Sequence, residues 1–248
     1  MSIISPYHIS LYSKCPKKTQ FAWHDENKDK INQPTVVEDV IKKTYYYYYV
    51  KEIIPTWRNI MTWTQNKVAS TVDDITTQES YKKVKSYLQV LSDWYDKFFL
   101  GNYCYPGFIN VPIHIGLGHH LTLQSSMDIL AIGNNIKLME FEKVAYEDSI
   151  NSAANIGSYS QRKLFNNFEI QIKAWVFSKI ITTKQCEYSR ILIGANTIKI
   201  IDLFFSNESL NNIEKIIKQI TRGINDNVFY PSFSEQCLSC PFISKCNI

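Results

Sequence analysis

SSMDILAIGNNIKLMEFEKV, residues Ser125–Val144, reads as two strands joined by a turn at Gly133, Asn134 and Asn135, residue types that supply the positive φ that short hairpin loops need. With the turn centred on Asn134, Ile132 faces Ile136 and Asp128 falls opposite Glu140. Directly opposed residues have Cβ atoms about 4.5–5.5 Å apart, and like charges placed so repel. Side chains alternate faces along a strand, so Glu142 shares the face of Glu140 and opposes Ser126. Three carboxylates are expected on one patch. They are either a hydrated polar face, whose register a bulge could slip, or a site for a divalent cation such as Mg2+, which takes carboxylate oxygens and leaves positions for water and phosphate. A bound ion would offset the repulsion and supply a Lewis acid and an activated water for phosphodiester cleavage.

On either side of this hairpin the chain divides by character. FINVPIHIGLG before it, and RILIGA and TIKIIDLFF after it, read as further strands. Residues 35–67 and 76–100 hold few Gly or Pro and read as helices, and context places the locally ambiguous YYYYYV of residues 45–50 in the first of them. A helix is expected from about Ser158 to Ile180 and another from about Asn211 to Arg222. In the former, Leu164, Phe168, Gln171 and Trp175 recur on one inward face. A buried amide needs partners: Gln171 either bonds backbone in the core or reaches the carboxylates or their attacking water. The element order gives an α/β (α+β) fold with a central mixed sheet flanked by helices. It is read as one unit over residues 1–248: a helical N-terminal region at 1–105, a catalytic sheet core at 106–206, and a terminal helix with a cysteine cluster at 207–248.

Composition sets the wider frame. The 248 residues are 45% hydrophobic and 14% aromatic, enough for a substantial core. The start MSIISPYHIS has no signal-peptide pattern, and no stretch approaches a membrane span. The expected location is therefore intracellular and cytoplasmic, with no membrane partner. A net charge of +4 allows nucleic-acid binding through local basic patches. Richness in Asn, Ile, Lys and Tyr suggests an AT-rich source such as a phage or virus. Of six cysteines, Cys15, Cys104 and Cys186 are isolated and Cys237, Cys240 and Cys246 cluster in QCLSCPFISKC. In a reducing compartment these are thiols or metal ligands rather than disulfides, and three thiolates leave a tetrahedral site one ligand short.

Taken together these pieces resemble the RecB-like branch of the PD-(D/E)XK nuclease superfamily, in particular its iron-sulfur members such as the CRISPR-associated RecB-like exonucleases and the AddB nuclease domain. SPYHISLYSKCP resembles their early cysteine segment, with Tyr7 where a second serine is common, and YPSFSEQCLSCPFISKC their terminal one. SMDIL resembles the segment of the first metal-binding aspartate, KLMEFEKV the strand that usually reads D-x-K, and FEIQIKAW the helical Q-x-x-x-Y motif, with Trp175 for Tyr. The likeness runs from about Ser5 to Cys246 and implies a [4Fe-4S] cluster on Cys15, Cys237, Cys240 and Cys246 that joins the chain ends. Four cysteines suit zinc as well. It further implies Mg2+ or Mn2+ on Asp128 and Glu140, and a metal-dependent deoxyribonuclease, an exonuclease on DNA ends or single strands.

Two departures qualify this. Glu142 stands where the family has its lysine, an E-x-E variant, and Lys143 beside it points to the other face unless a bulge turns it in. The catalytic candidates are thus Asp128, Glu140, Glu142, Lys143 and Gln171. The early-helix segment TVVEDVIKK lacks the family's His; Glu38 or Asp39 could substitute, although surface charge explains either, and His119 and His120 read as loop residues. The departures motivate a rival reading, a catalytically degenerate relative that binds DNA or serves as an assembly subunit. Zinc-bound nucleic-acid binding without catalysis is a third, but it leaves the acids unexplained. Partners beyond DNA would belong to recombination, replication or CRISPR adaptation.

Overall fold

A computed structural model describes residues 2–24, 35–70, 77–101, 104–118, 121–132, 136–143, 160–181, 186–194, 197–232 and 234–246. The turn residues Gly133, Asn134 and Asn135, together with His119 and His120, lie outside the described residues, as does the side chain of Lys143.

A 6-stranded sheet carries the fold: β1 (Ser2–Ile4), β2 (Gly107–Gly118), β3 (Leu121–Ala131), β4 (Lys137–Lys143), β5 (Cys186–Ile193) and β6 (Ile198–Phe205). It is mixed: β1/β3 and β4/β5 pair parallel, and β2/β3, β3/β4 and β5/β6 antiparallel. The hairpin register is the expected one, with Ile129 opposite Met139, Leu130 opposite Leu138 and Ala131 opposite Lys137. β3 carries β2 along one edge, whereas its other edge is shared. β1 occupies Leu121 to Leu123 and β4 occupies Ile129 to Ala131, so among the described residues no strand pairs with that edge over residues 124–128.

Helices cover both faces. α1 (Pro6–Lys14) ends at Cys15, which is extended ahead of Pro16, where α2 (Pro16–His24) begins. The expected helix 35–67 is two, α3 (Val36–Lys51) and α4 (Trp57–Ser70). Glu52 turns left-handed and its N–H reaches the carbonyl of Tyr48, and Pro55 prevents continuation. The tyrosine run is helical within α3. α5 (Thr77–Trp94) runs into a wider π-helical turn at Tyr95–Phe99. The expected helix 158–180 is also two, α6 (Gln161–Phe165) and α7 (Phe168–Ile180), divided where Asn167 caps the second by accepting from the N–H of Glu169. α8 (Asn207–Asn225) buries one stripe, Leu210, Ile213, Ile217, Ile220 and Ile224. No helix among the described residues is long and apolar enough to cross a membrane.

Two cores flank the sheet. α1, α7 and α8 pack on Leu121, Leu123, Met127, Leu138, Tyr188 and Leu192. α3 and α5 pack on the opposite side with Ile129, Ala131, Met139, Ile191 and Ile193. Strict alternation would keep all odd residues of β3 on one face, yet Met127 and Ile129 lie in different cores. β2 does the same between Ile109 and Val111. The cause sits between these: Asn110 has φ of 50°, so the pleat of both strands changes phase at Asn110 and Asp128. Asn accepts that conformation better than other side chains. Asn110→Val should cost about 1–2 kcal/mol, read by urea denaturation, with a smaller loss for Asn110→Gly; equal losses would mean the backbone conformation is not what the position selects.

Candidate functional site

The change of pleat decides where the acids point. Beyond Ile129 and Met139 the hairpin ladder ends, and the N–H of Phe141 donates instead to Asp128 Oδ2 at 2.9 Å. Asp128 thereby caps the opening and turns toward α3. Its Oδ1 accepts from Lys42 Nζ at 3.1 Å, and Lys42 also reaches Glu38 at 2.8 Å and Asn110 Oδ1 at 3.1 Å. Lys42 is buried and lies over the Phe141 ring. Burial alone would lower its pKa, but the hydrogen bond to Glu38 and the charges of Asp128 and Glu38 outweigh it and hold the ammonium above its ordinary value. Glu38 is buried, which corrects the expectation of a surface acid, because it is held by Lys42 one helical turn away. Asp39 of α3 pairs instead with Lys67 of α4.

Glu140 faces the other way, toward α7. It is only 2% exposed. Lys173 Nζ lies 3.0 Å from Oε1, Tyr188 donates its O–H to Oε2 at 2.6 Å, and Arg190 donates to Oε2 at 2.8 Å. Arg190 stands beside Glu140 in the β4–β5 register and also donates through Nε to Glu142 at 3.0 Å. Burial would push the Glu140 carboxyl up, but Lys173, Arg190 and the Tyr188 hydroxyl hold it below the usual carboxylate range. Tyr188 is pushed up, first by burial and then by the Glu140 charge. Gln171 takes neither route to the acids: its side chain donates to the carbonyl of Phe165 at 2.8 Å and closes the end of α6.

The structure therefore joins Glu140 with Glu142 through Arg190 and sets Asp128 apart with Glu38 and Lys42. Among the described residues no group of three or more His, Cys, Asp or Glu side chains is placed to hold a metal ion. The oxygens are of the hard type that Mg2+ or Mn2+ prefers. As arranged, however, Asp128 and Glu140 are each neutralised by protein cations and do not form a shared ion site. Lys42, Lys173, Tyr188 and Arg190 are the residues that sequence reasoning missed. Two left a signal: Lys173 is the lone charge in IQIKAWVF, and Arg190 the lone cation in CEYSRILI.

At the chain ends, Cys15, Cys237, Cys240 and Cys246 line one small cavity with Phe21 and Phe242. The N–H of Lys17 donates to the carbonyl of Tyr230 at 3.1 Å, and the Phe21 and Phe242 rings lie 5.7 Å apart. None of the described residues from Pro231 to Cys246 is buried. Cys104 and Cys186 are elsewhere, and burial raises the pKa of both thiols.

No family model matches the chain, and no curated protein matches it. Among solved structures it is similar to the protein SSO0001, at 12% identity and a TM-score of 0.39 over 99% of this chain and 85% of that one. It is also similar to a protein from Eubacterium rectale provisionally named an exonuclease, at 11% identity and a TM-score of 0.44 over 96% of this chain and 86% of that one. Likenesses of this degree say nothing of chemistry.

Proposed function

We propose that the chain is a DNA nuclease acting on ends or single strands, with its site at the opening between β3 and β4. One observation carries this: the hairpin opens at Asp128 and Glu140, and three acids with the cations Lys42, Lys173 and Arg190 gather on either side of the opening. Hydrolysis of a phosphodiester needs fixed positive charge where negative charge grows on phosphate oxygens, and cations held in a low-dielectric site provide it without reorganising. Glu140 and Glu142 hold the Arg190 guanidinium in place, and Glu140 holds Lys173. Lys173 would then be the cation that Glu142 displaces from the strand. Glu142 or Lys143 would orient or deprotonate the attacking water.

The four cysteines would hold the [4Fe-4S] cluster. Their common cavity supports a cofactor, and a terminal segment with no buried residue among those described gains its order from some other source. Four cysteines on one cavity suit a polynuclear centre, and a single zinc is the alternative that metal analysis distinguishes. Its role would be structural.

The neutralised acids favour a second reading, a DNA-binding or assembly subunit that does not cut. End-labelled single- and double-stranded DNA with Mg2+ or Mn2+ separates the two, comparing anaerobically purified wild type with Asp128→Ala and Glu142→Ala. Metal-dependent cutting lost in both variants is the expected result. Loss in Asp128→Ala alone shifts the role of Glu142 to Lys143, and binding without cutting by intact wild type establishes the second reading.

A further inference from the structure

A groove of about 960 Å3 runs between α1–α2 and β3 at Gln124, Ser125 and Ser126. Its walls carry Tyr7, His8 and Trp23 in a row, with ring centroids 5.7 Å apart for Tyr7–His8 and 6.3 Å for His8–Trp23. Lys173 and Lys18 both line it. Lys173 also bonds Glu140, and Lys18 also lines the cysteine cavity, so the groove connects the two sites. Ser126, on the stretch of β3 that no described strand pairs along the edge shared by β1 and β4, faces it and is exposed.

We propose that this groove seats one nucleic-acid strand, its bases on Tyr7 and Trp23 and its phosphates at Lys18 and Lys173. The proposal rests on the reading that the chain acts on DNA and names the path by which the strand reaches the opening. Rings in a row beside cations spaced along a channel suit a single strand, because every base offers a face to stack on while phosphates need only point charges. A duplex keeps its bases stacked on each other and offers no such faces. Tyr7 is 46% exposed, so its ring is available for stacking and contributes little to the core. The cysteine module gains a purpose from this: it fixes Lys18 and Phe242, which both line the groove. Glu169 in the same lining is 3.8 Å from Lys173 and keeps that end from holding excess positive charge when no strand is present.

The test is fluorescence anisotropy with labelled oligo-dT in EDTA, so that cleavage does not contribute, comparing wild type with Tyr7→Ala, Lys18→Ala and Tyr46→Ala. Tyr46 is exposed on α3, outside the groove lining. Tyr7→Ala should weaken binding by about 10-fold, the lower range for one lost base stack. Lys18→Ala should reduce the slope of log affinity against log salt by about 0.7, as for one phosphate contact on a single strand. Tyr46→Ala should bind as wild type, and equally tight binding of a blunt duplex overturns the strand assignment. If Tyr7→Ala and Lys18→Ala bind as wild type while wild type cuts DNA, the groove is refuted and the nuclease reading stands. If both lose binding and wild type never cuts, the groove stands and the nuclease reading fails. Wild type that does not bind oligo-dT overturns the groove whatever the cleavage assay reads.

Discussion

Glu140→Gln should destabilise the protein by about 3–5 kcal/mol, the cost of breaking a buried ion pair from one side. The amide keeps the shape of the side chain and removes its charge, which leaves Lys173 and Arg190 facing each other around a residue that is 2% exposed. Urea denaturation at neutral pH reads the loss, and the double variant Glu140→Gln, Lys173→Gln should lose less than the sum of the singles because the ammonium left with only Glu169, at 3.8 Å, is gone. The pH dependence follows from the same group. Its carboxyl is lowered in the folded state because Lys173, Arg190 and Tyr188 outweigh the effect of burial, so its contribution is full above the unfolded carboxylate pKa and is lost as pH falls through the folded value. Glu140→Gln should therefore flatten the fall in stability on the acid side. Lys173 is raised, since the Glu140 charge outweighs burial, and its contribution fades only as pH climbs past the usual lysine range. A loss below about 1 kcal/mol with an unchanged acid limb would show that the buried cage does not hold the sheet to α7.

Cys15→Ser should release the end of the chain. From Pro231 to Cys246 no described residue is buried, and Leu238 is 88% exposed, so this segment has little apolar burial to offset the entropy of ordering it. Its described ties to the rest are the Phe21–Phe242 contact and the common cysteine cavity, with the Lys17–Tyr230 backbone bond just ahead of it. With one of the four thiols gone, a cluster would lose its hold on α2, and limited proteolysis should trim the terminal segment while the sheet resists. Cys104→Ser should leave it intact. Brown wild-type protein after anaerobic purification, and colourless Cys15→Ser, are expected for iron and sulfide. Stoichiometric zinc in colourless wild type would replace the cluster by a single ion. Equal resistance of variant and wild type would mean the thiols hold nothing.

The hairpin register was legible because a turn of Gly and Asn fixes the pairing and strands have a period of two. The element order was legible for similar local reasons, down to the helical tyrosine run, whose neighbours outweighed the strand preference of Tyr. What could not be read was the phase of the pleat. Asn110 interrupts FINVPIHI with apolar residues on both sides, and nothing local says that its φ is positive. From that one torsion follows the separation of Asp128 from Glu140, which a regular strand would have set on one face. Partners supplied from afar were equally hidden: Lys42 meets Asp128 across 86 positions of chain and Arg190 meets Glu140 across 50. Gln171 is half-buried rather than buried, and of its two readings the hydrogen bond to backbone is the one found. Glu38 looked like a surface charge because pattern alone cannot show that its neighbour Lys42 is enclosed.

β3 is the only described strand that belongs to both halves of the sheet. β1 and β2 pair with β3 alone, and β4, with β5 and β6 beyond it, is joined to β3 by the three residue pairs at Ile129, Leu130 and Ala131. In mechanical terms this is a book with a short spine. A load that separates the halves, such as a polymer drawn along the groove, falls on those few rungs and on the Asp128 clasp over Phe141 rather than being shared along a full ladder.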